Sequence, residues 1–142
     1  MASNLRKLLP SGLLVVGISV PVLLAVEATH QPACDRTCLL SITSDYVDAL
    51  VSHNPSSLKL AADLQSTENG KPVPIGEGLW KTAKAVPVRE SFADASTGEA
   101  GLFGLVTEEN GQRFRLALHL KVNQQRIQQV EMLVSPEVRP SE

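Results

Sequence analysis

The most regular pattern of apolar and polar residues along the chain lies between Arg113 and Val134. Its first half reads Arg-Phe-Arg-Leu-Ala-Leu-His-Leu-Lys-Val, so that apolar residues alternate with a mixed set. Its second half alternates as well, with Val130, Met132 and Val134 on one side and Gln129, Glu131 and Leu133 on the other. A period of two is typical of strands. The short polar link at 123–125 therefore predicts a long hairpin at the centre of a curved sheet.

A helical periodicity comes earlier in the chain. Apolar residues recur there at spacings of three and four, namely Cys38, Ile42, Tyr46, Ala49 and Leu50. Asp35 or Thr37 can cap the start of this helix, and the Asn54-Pro55 pair ends it. We therefore predict an amphipathic helix from Cys34 to His53, followed by a second, short helix over Ser56–Ala62.

The middle of the chain alternates between short strand signals and turn signals. Strands are predicted at Leu64–Thr67, Val86–Phe92 and Ala100–Thr107. The prolines and glycines between Lys71 and Gly78 predict a shaped loop, which leads into a helical turn at Leu79–Ala85. Two helices, one strand, a loop and four antiparallel strands indicate an α+β fold. We expect a strongly curved, cone-shaped antiparallel sheet wrapped around the amino-terminal helices.

The amino terminus has the order of a secretory signal peptide. Arg6 and Lys7 precede an uncharged, mostly apolar run over 8–26, and Val26-Glu27-Ala28 places small residues at the cleavage positions. We predict a signal peptide at 1–28, a domain at 29–136 and a flexible tail at 137–142. The protein is then secreted or periplasmic, without membrane attachment after cleavage; an uncleaved anchor is the alternative.

Cysteine content and charge narrow the chemistry. Cys34 and Cys38 would meet an oxidising compartment, and a spacing of four on a helix allows a local disulfide, with two free thiols as the alternative. No further ligand lies at metal spacing beside them, so we predict no metal site. A net charge of −2 without a basic run makes nucleic acid a poor candidate partner, and we predict none. The sequence contains no phosphate loop, dinucleotide fingerprint or nucleophile elbow, so that the kinase, dehydrogenase and serine hydrolase classes are set aside. No cofactor is predicted.

Three motifs carry a resemblance to a known superfamily. Asp45-Tyr-Val-Asp-Ala-Leu-Val-Ser-His-Asn resembles the first helix of the nuclear transport factor 2-like, or SnoaL-like, fold, and Lys121-Val-Asn-Gln-Gln-Arg-Ile-Gln-Gln-Val-Glu is similar to its closing hairpin. Thr67-Glu-Asn-Gly with Gly76-Glu-Gly-Leu-Trp-Lys-Thr-Ala resembles a poorly characterised secreted branch found in fungi and bacteria. The resemblance covers roughly residues 34–136 and implies a cone-shaped fold.

The superfamily contains isomerases, cyclases, dehydratases, epoxide hydrolases and non-catalytic proteins, so that the fold does not settle the function. By resemblance to its ketosteroid isomerases, Tyr46 matches an oxyanion-donor tyrosine. Their general-base aspartate falls near Asn69, and their protonated oxyanion aspartate falls at Ala117. Neither Asn nor Ala can accept and return a proton. We therefore do not expect a copy of that proton shuttle.

Four residues are candidates for one cavity. His119 lies two residues beyond Ala117, on the same side of the strand, and would act as general acid or base if that side faces inward. Tyr46 and Glu68 would supply a hydroxyl and a carboxylate, and Trp80 a rim aromatic. The remaining predicted pocket residues are Asn69, Arg115, Ala117, Val130 and Met132. This face assignment places the leucines outward, although leucines more often mark an interior.

Three functions remain open. The first is a cofactor-independent isomerase, dehydratase or cyclase in which His119, Tyr46 and Glu68 transfer protons on a small apolar organic molecule. The second is a module that binds such a ligand without chemistry. The third is an interaction domain that forms a homodimer through its sheet and whose interior is filled by side chains. The first two functions require a hollow cone with a ligand pocket, whereas the third does not.

Overall fold

The structure is a computed structural model and describes residues 34–137. The predicted signal peptide at 1–28 and the predicted tail beyond Glu137 lie outside the described residues. The described part contains the helix α1 (Arg36–Val51) and the strands β1 (Leu60–Glu68), β2 (Lys71–Pro72), β3 (Ala83–Asp94), β4 (Glu99–Glu108), β5 (Arg113–Asn123) and β6 (Arg126–Pro136). Two 3-10 turns, Pro55–Ser57 and Gly78–Lys81, flank β1 and β2.

All six strands form one curved, open sheet in the order β2-β1-β6-β5-β4-β3. Strands β3 to β6 make an antiparallel meander, as predicted. β1 pairs in parallel with β6, so that the sheet is mixed. One helix on a largely antiparallel sheet confirms the predicted α+β class. Within residues 34–137, no helix combines the length and hydropathy needed to cross a membrane.

The ends of α1 follow from local chemistry. The carboxylate of Asp35 accepts the backbone N–H of Cys38 at 2.8 Å, an N-cap contact. Cys34 and Cys38 form the predicted disulfide, with a Cα–Cα distance of 5.3 Å. At the other end, His53 adopts a positive φ of 54° and the next N–H, that of Asn54, donates to the carbonyl of Ala49 at 3.0 Å. This is a Schellman ending in which histidine occupies the usual glycine position.

Two predicted helical segments are wrong in extent. The second helix at Ser56–Ala62 is only the turn Pro55–Ser57, and β1 already begins at Leu60. The reason is tertiary, because Leu60 pairs with Ile127 of β6 and this ladder overrides a weak helical pattern. The helical turn expected at 79–85 likewise shortens to Gly78–Lys81, since β3 begins at Ala83.

The β5–β6 hairpin decides which side of the sheet is inside. Its two loop residues, Gln124 and Gln125, have φ values of 48° and 59°, the geometry of a tight two-residue turn. In the resulting register Leu118 pairs with Met132, and Leu120 pairs with Val130. Directly paired residues share a face. The leucines of β5 and the Val130–Met132 side of β6 therefore form one apolar surface.

This apolar surface packs beneath α1. Leu118 and Met132 are buried, and the Tyr46 hydroxyl of α1 reaches the Met132 sulfur. The predicted face assignment of β5 is therefore reversed, with the leucines inward and His119 on the opposite face. Energetics explain the outcome, because each buried leucine contributes about 1.5–3 kcal/mol. Burial of His119 beside Arg115 would instead require polar partners inside the cone.

Candidate functional site

A buried aromatic cluster lies where α1, the Gly78–Lys81 turn and β6 meet. The indole Nε1–H of Trp80 donates to the Tyr46 hydroxyl at 3.1 Å. The two rings stand edge to face, with centroids 5.4 Å apart and planes at 84°. The Tyr46 hydroxyl in turn donates to the Met132 sulfur at 3.7 Å. None of these three side chains is more than 1% exposed, so the cluster closes this part of the cone.

Glu68 joins the same region from the end of β1. Its carboxylate Oε2 accepts the backbone N–H of Leu79 at 2.9 Å. Gly78, immediately before, has a φ of +62°, and a Cβ there would lie 2.5 Å from the same oxygen. The glycine is thus required both by the backbone conformation and by the approach of the carboxylate. Glu68 fixes the loop that presents Trp80 to Tyr46.

Asn69 fixes the adjacent turn. It has a φ of 51°, as asparagine tolerates better than most residues. Its N–H donates to the carbonyl of Met132 at 2.8 Å, and its Oδ1 accepts the N–H of Val134 at 2.8 Å. The predicted pocket residue is therefore used to join the β1–β2 turn to β6. It does not point a free amide into a cavity.

The Tyr46 hydroxyl is electrostatically unsuited to ionise. Burial raises its pKa well above the usual value of about 10, the hydrogen bond from Trp80 lowers it, and the negative charge of Glu68 raises it further. A neutral hydroxyl can donate to an oxyanion, but this one already donates to Met132. A substrate could reach it only by displacing Trp80 or Met132.

The other predicted site residues lie on the opposite side of the sheet, here called the outer face. His119 pairs with Gly101 and Glu131, and Ala117 pairs with Phe103 and Leu133. Since side chains alternate along a strand, neither shares a cavity with Tyr46. The expectation that His119 lines one cavity with the three inward residues is wrong. Ala117 likewise cannot occupy the inward position that the isomerase resemblance implied.

The final three predicted pocket residues divide between the two faces. Arg115 is exposed on the outer face, two residues from Ala117. Val130 and Met132 are 0 and 1% exposed and form part of the packed core. Within residues 34–137, no group of three or more His, Cys, Asp and Glu side chains could hold a metal ion.

An apolar patch on the outer face was missed in the sequence. Four large side chains remain between 42 and 59% exposed there: Val88, Phe92, Phe103 and Leu133. The Phe92 and Phe103 rings stack at 5.4 Å. Phe92 lies over Gly101, where a Cβ would come within 2.6 Å of its ring. The sequence signal for this patch was the alternation of Val88 and Phe92 within one strand. Alternation alone does not show which face of the strand is buried.

No protein-family model and no curated protein matches the chain. Solved structures do match. A candidate ketosteroid isomerase from Kribbella flavida is 14% identical, with a TM-score of 0.60 over 78% of this chain and 87% of that one. A candidate polyketide cyclase from Xanthomonas campestris pv. campestris is 16% identical, with a TM-score of 0.55 over 69% and 90%. A de novo designed protein with a curved β-sheet is 18% identical, with a TM-score of 0.59 over 72% and 88%.

These likenesses establish the fold as the nuclear transport factor 2-like cone, as the sequence resemblance implied. Identities of 14 to 18% carry no statement about activity. That a designed protein shares the architecture underlines the point, because a fold can exist without a particular reaction.

Proposed function

We propose that this protein is an exported, non-catalytic interaction domain that forms a homodimer through the outer face of its sheet. The observation that carries the proposal is the patch formed by Val88, Phe92, Phe103 and Leu133. The largest contiguous apolar patch on a protein surface is often an interaction site. Aromatic residues at the centre of such a surface are typical of interface anchors.

The patch has a shape that a second copy can match. Phe103 projects from β4 directly beside the small side chain of Ala117 on β5. A two-fold axis parallel to the strands and midway between β4 and β5 places Phe103 of each copy over Ala117 of the other. Glu90, next to Phe103 on β3, and Arg115 on β5 bring both signs of charge to the rim. A self-complementary surface of this kind suits a closed dimer.

The interior supports the non-catalytic part of the proposal. In the catalytic hypothesis in which Tyr46 donates to an oxyanion, the substrate must contact the Tyr46 hydroxyl. That hydroxyl is fully buried between Trp80 and Met132. His119, the proposed proton carrier, lies on the other face of the sheet.

Export is supported by two independent features. The basic, apolar and Val26-Glu27-Ala28 order is that of a signal peptide, and the Cys34–Cys38 disulfide belongs in an oxidising compartment. Amino-terminal sequencing of protein recovered outside the cytoplasm tests this part, with Thr29 expected near the mature start. An intact Met1 in a soluble cytoplasmic fraction would contradict it.

The dimer is tested by light scattering coupled to size-exclusion chromatography, on the exported protein with its disulfide intact. We expect twice the chain mass for the wild type and a single chain mass for Phe103→Glu, because a charge at the patch centre cannot be desolvated. Ala95→Glu adds the same charge in the exposed β3–β4 turn and should remain dimeric. A monomeric wild type, or a dimeric Phe103→Glu, would overturn the assignment.

A further inference from the structure

A groove opens beside α1, between that helix, the Pro55–Ser57 turn and the β5–β6 loop. Its volume is about 230 Å³, and its lining combines apolar side chains with the charged residues Asp45 and Lys59. None of these residues belongs to the outer face. The buried Tyr46–Trp80 cluster does not line it either. Any ligand bound here is therefore independent of the proposed dimer.

The floor of the groove is apolar. Ile42 comes from α1, Leu58 from the segment before β1, and Ile127 from the start of β6. Ile42 and Leu58 are half-buried, and Ile127 is almost completely buried. Together they offer a surface onto which a branched or aromatic side chain can pack, and burial of apolar surface favours binding.

The rim carries opposite charges on different elements. Asp45 projects from α1, and Lys59 lies between the Pro55–Ser57 turn and β1. Neither forms an ion pair with another residue in the described part of the chain. The hydroxyl of Ser41 and the amide of Gln125 add hydrogen-bonding groups between them. The groove thus presents a negatively charged carboxylate and a positively charged ammonium group above one apolar floor.

We infer that this groove binds a small zwitterion with an apolar side chain, of the size and chemistry of free leucine or phenylalanine. The ammonium group would lie against the Asp45 carboxylate and the carboxylate group against the Lys59 ammonium, while the side chain contacts Leu58 and Ile127. The volume lies below the roughly 300–1,000 Å³ typical of pockets for drug-sized ligands. An internal peptide residue lacks both terminal charges, so the arrangement favours a free amino acid.

Affinity should come from both parts of the ligand. The two rim charges are exposed, and solvent screening limits each ion pair to a modest contribution. The apolar floor adds side-chain burial, which glycine cannot use. Recognition therefore requires an ammonium group, a carboxylate and a side chain together, and binding should weaken as salt concentration rises.

The test is an NMR titration of the exported, disulfide-bonded protein with L-leucine. We expect saturable shifts at the backbone amides of Ile42, Leu58 and Ile127. Glycine and N-acetyl-leucine amide serve as probes that lack the side chain or both charges, and each should bind about tenfold more weakly or worse. An absence of shifts with leucine and phenylalanine would overturn the inference, as would equal binding of the uncharged amide.

Matched variants separate recognition from general surface charge. Asp45→Asn and Lys59→Gln should each raise the Kd for leucine about two- to fivefold. Asp63→Asn and Lys71→Gln are the controls, since both residues are exposed and lie outside the groove. All four sites are exposed, and the fluorescence of the single tryptophan, Trp80, reports whether each variant is folded. Equal losses in the controls would contradict the assignment.

Discussion

Tyr46 lies at the position where the resemblance to ketosteroid isomerases implied an oxyanion donor, but its hydroxyl forms hydrogen bonds within the protein. It accepts from Trp80 and donates to Met132. Trp80 is in turn held by the loop that Glu68 fixes through Leu79. The Thr67-Glu-Asn-Gly and Gly76-Glu-Gly-Leu-Trp segments therefore meet in space through this contact.

Alkaline titration should reveal the environment of Tyr46. Its folded pKa is raised above the unfolded value of about 10, chiefly by burial. The associated stability is therefore fully present below about pH 10 and is lost as pH rises toward the folded pKa, by up to about 1.4 kcal/mol per pH unit. Because Tyr46 is the only tyrosine, its ultraviolet absorbance can be followed directly.

Tyr46→Phe is the control for this titration. Its free energy of unfolding should lack the extra decline above pH 10 that the wild type shows. At neutral pH it should be lower by about 1–3 kcal/mol, because the Trp80 N–H loses its acceptor. Appearance of tyrosinate near pH 10 in the folded wild type would contradict the buried arrangement.

Gly78 allows a second test at the residue scale. Gly78→Ala should lower the free energy of unfolding by more than the roughly 1–2 kcal/mol cost of a left-handed alanine, because the new Cβ also meets the Glu68 carboxylate. Gly70→Ala is the matched control, since Gly70 has a φ of +75° but open space around its Cβ position. Urea unfolding followed by Trp80 fluorescence measures both.

The double variant Gly78→Ala with Glu68→Ala isolates the contact. Removal of the carboxylate should cancel the steric part of the Gly78→Ala cost, leaving backbone strain and the lost hydrogen bond to Leu79. Strictly additive losses, or equal losses for Gly70→Ala and Gly78→Ala, would show that the close approach is unimportant.

At the scale of elements, alternation in the sequence predicted both strands of the central hairpin and the turn between them. It could not say which side of β5 faces inward, because a period of two is the same seen from either face. Which face of β5 is buried depends on the element that packs against the sheet. The buried face of α1, with Leu39, Val47 and Leu50, packs on the richer apolar side. The isomerase resemblance pointed to Ala117 and so to the wrong side.

The prediction of a second helix at Ser56–Ala62, just after α1, was wrong for a different reason. A weak helical pattern over seven residues competes poorly with strand pairing, since an isolated short helix is marginal in water. Leu60 of β1 finds Ile127 of β6, which lies 67 positions away in the sequence. A contact at that separation leaves no local signal.

The β5–β6 loop should accept a stabilising change. Gln124 and Gln125 both hold a positive φ, a conformation that Asn-Gly adopts at lower cost. Replacement of the pair by Asn-Gly should raise the free energy of unfolding by about 1 kcal/mol. Gln125→Ala keeps the unfavourable φ and should give no gain. If Asn-Gly is also without gain, the hairpin does not carry this strain.

For the whole molecule, the order of elements was sufficient to predict the α+β cone, since helices followed by an antiparallel meander admit few other arrangements. Whether the cone is hollow could not be predicted. A tryptophan that follows a glycine-rich loop, such as Trp80, can be a rim aromatic or a core anchor. Only the position of Tyr46 opposite Trp80 distinguishes these two roles. Trp80 is 1% exposed and donates to the Tyr46 hydroxyl, so that it is a core anchor. The two candidate binding surfaces discussed above, the outer face and the α1 groove, lie elsewhere on the molecule.

The proposed dimer has a thermodynamic consequence beyond its mass. If folding and association are linked, mass action makes the unfolding midpoint depend on protein concentration. For the wild type, each tenfold rise in concentration should add up to about 1.4 kcal/mol to the apparent free energy of unfolding. Phe103→Glu, which cannot bury the patch, should unfold at a concentration-independent midpoint, whereas Ala95→Glu should behave as the wild type. Urea titrations at several protein concentrations distinguish these cases. A wild-type unfolding midpoint that is independent of protein concentration would contradict a dimer interface on the outer face.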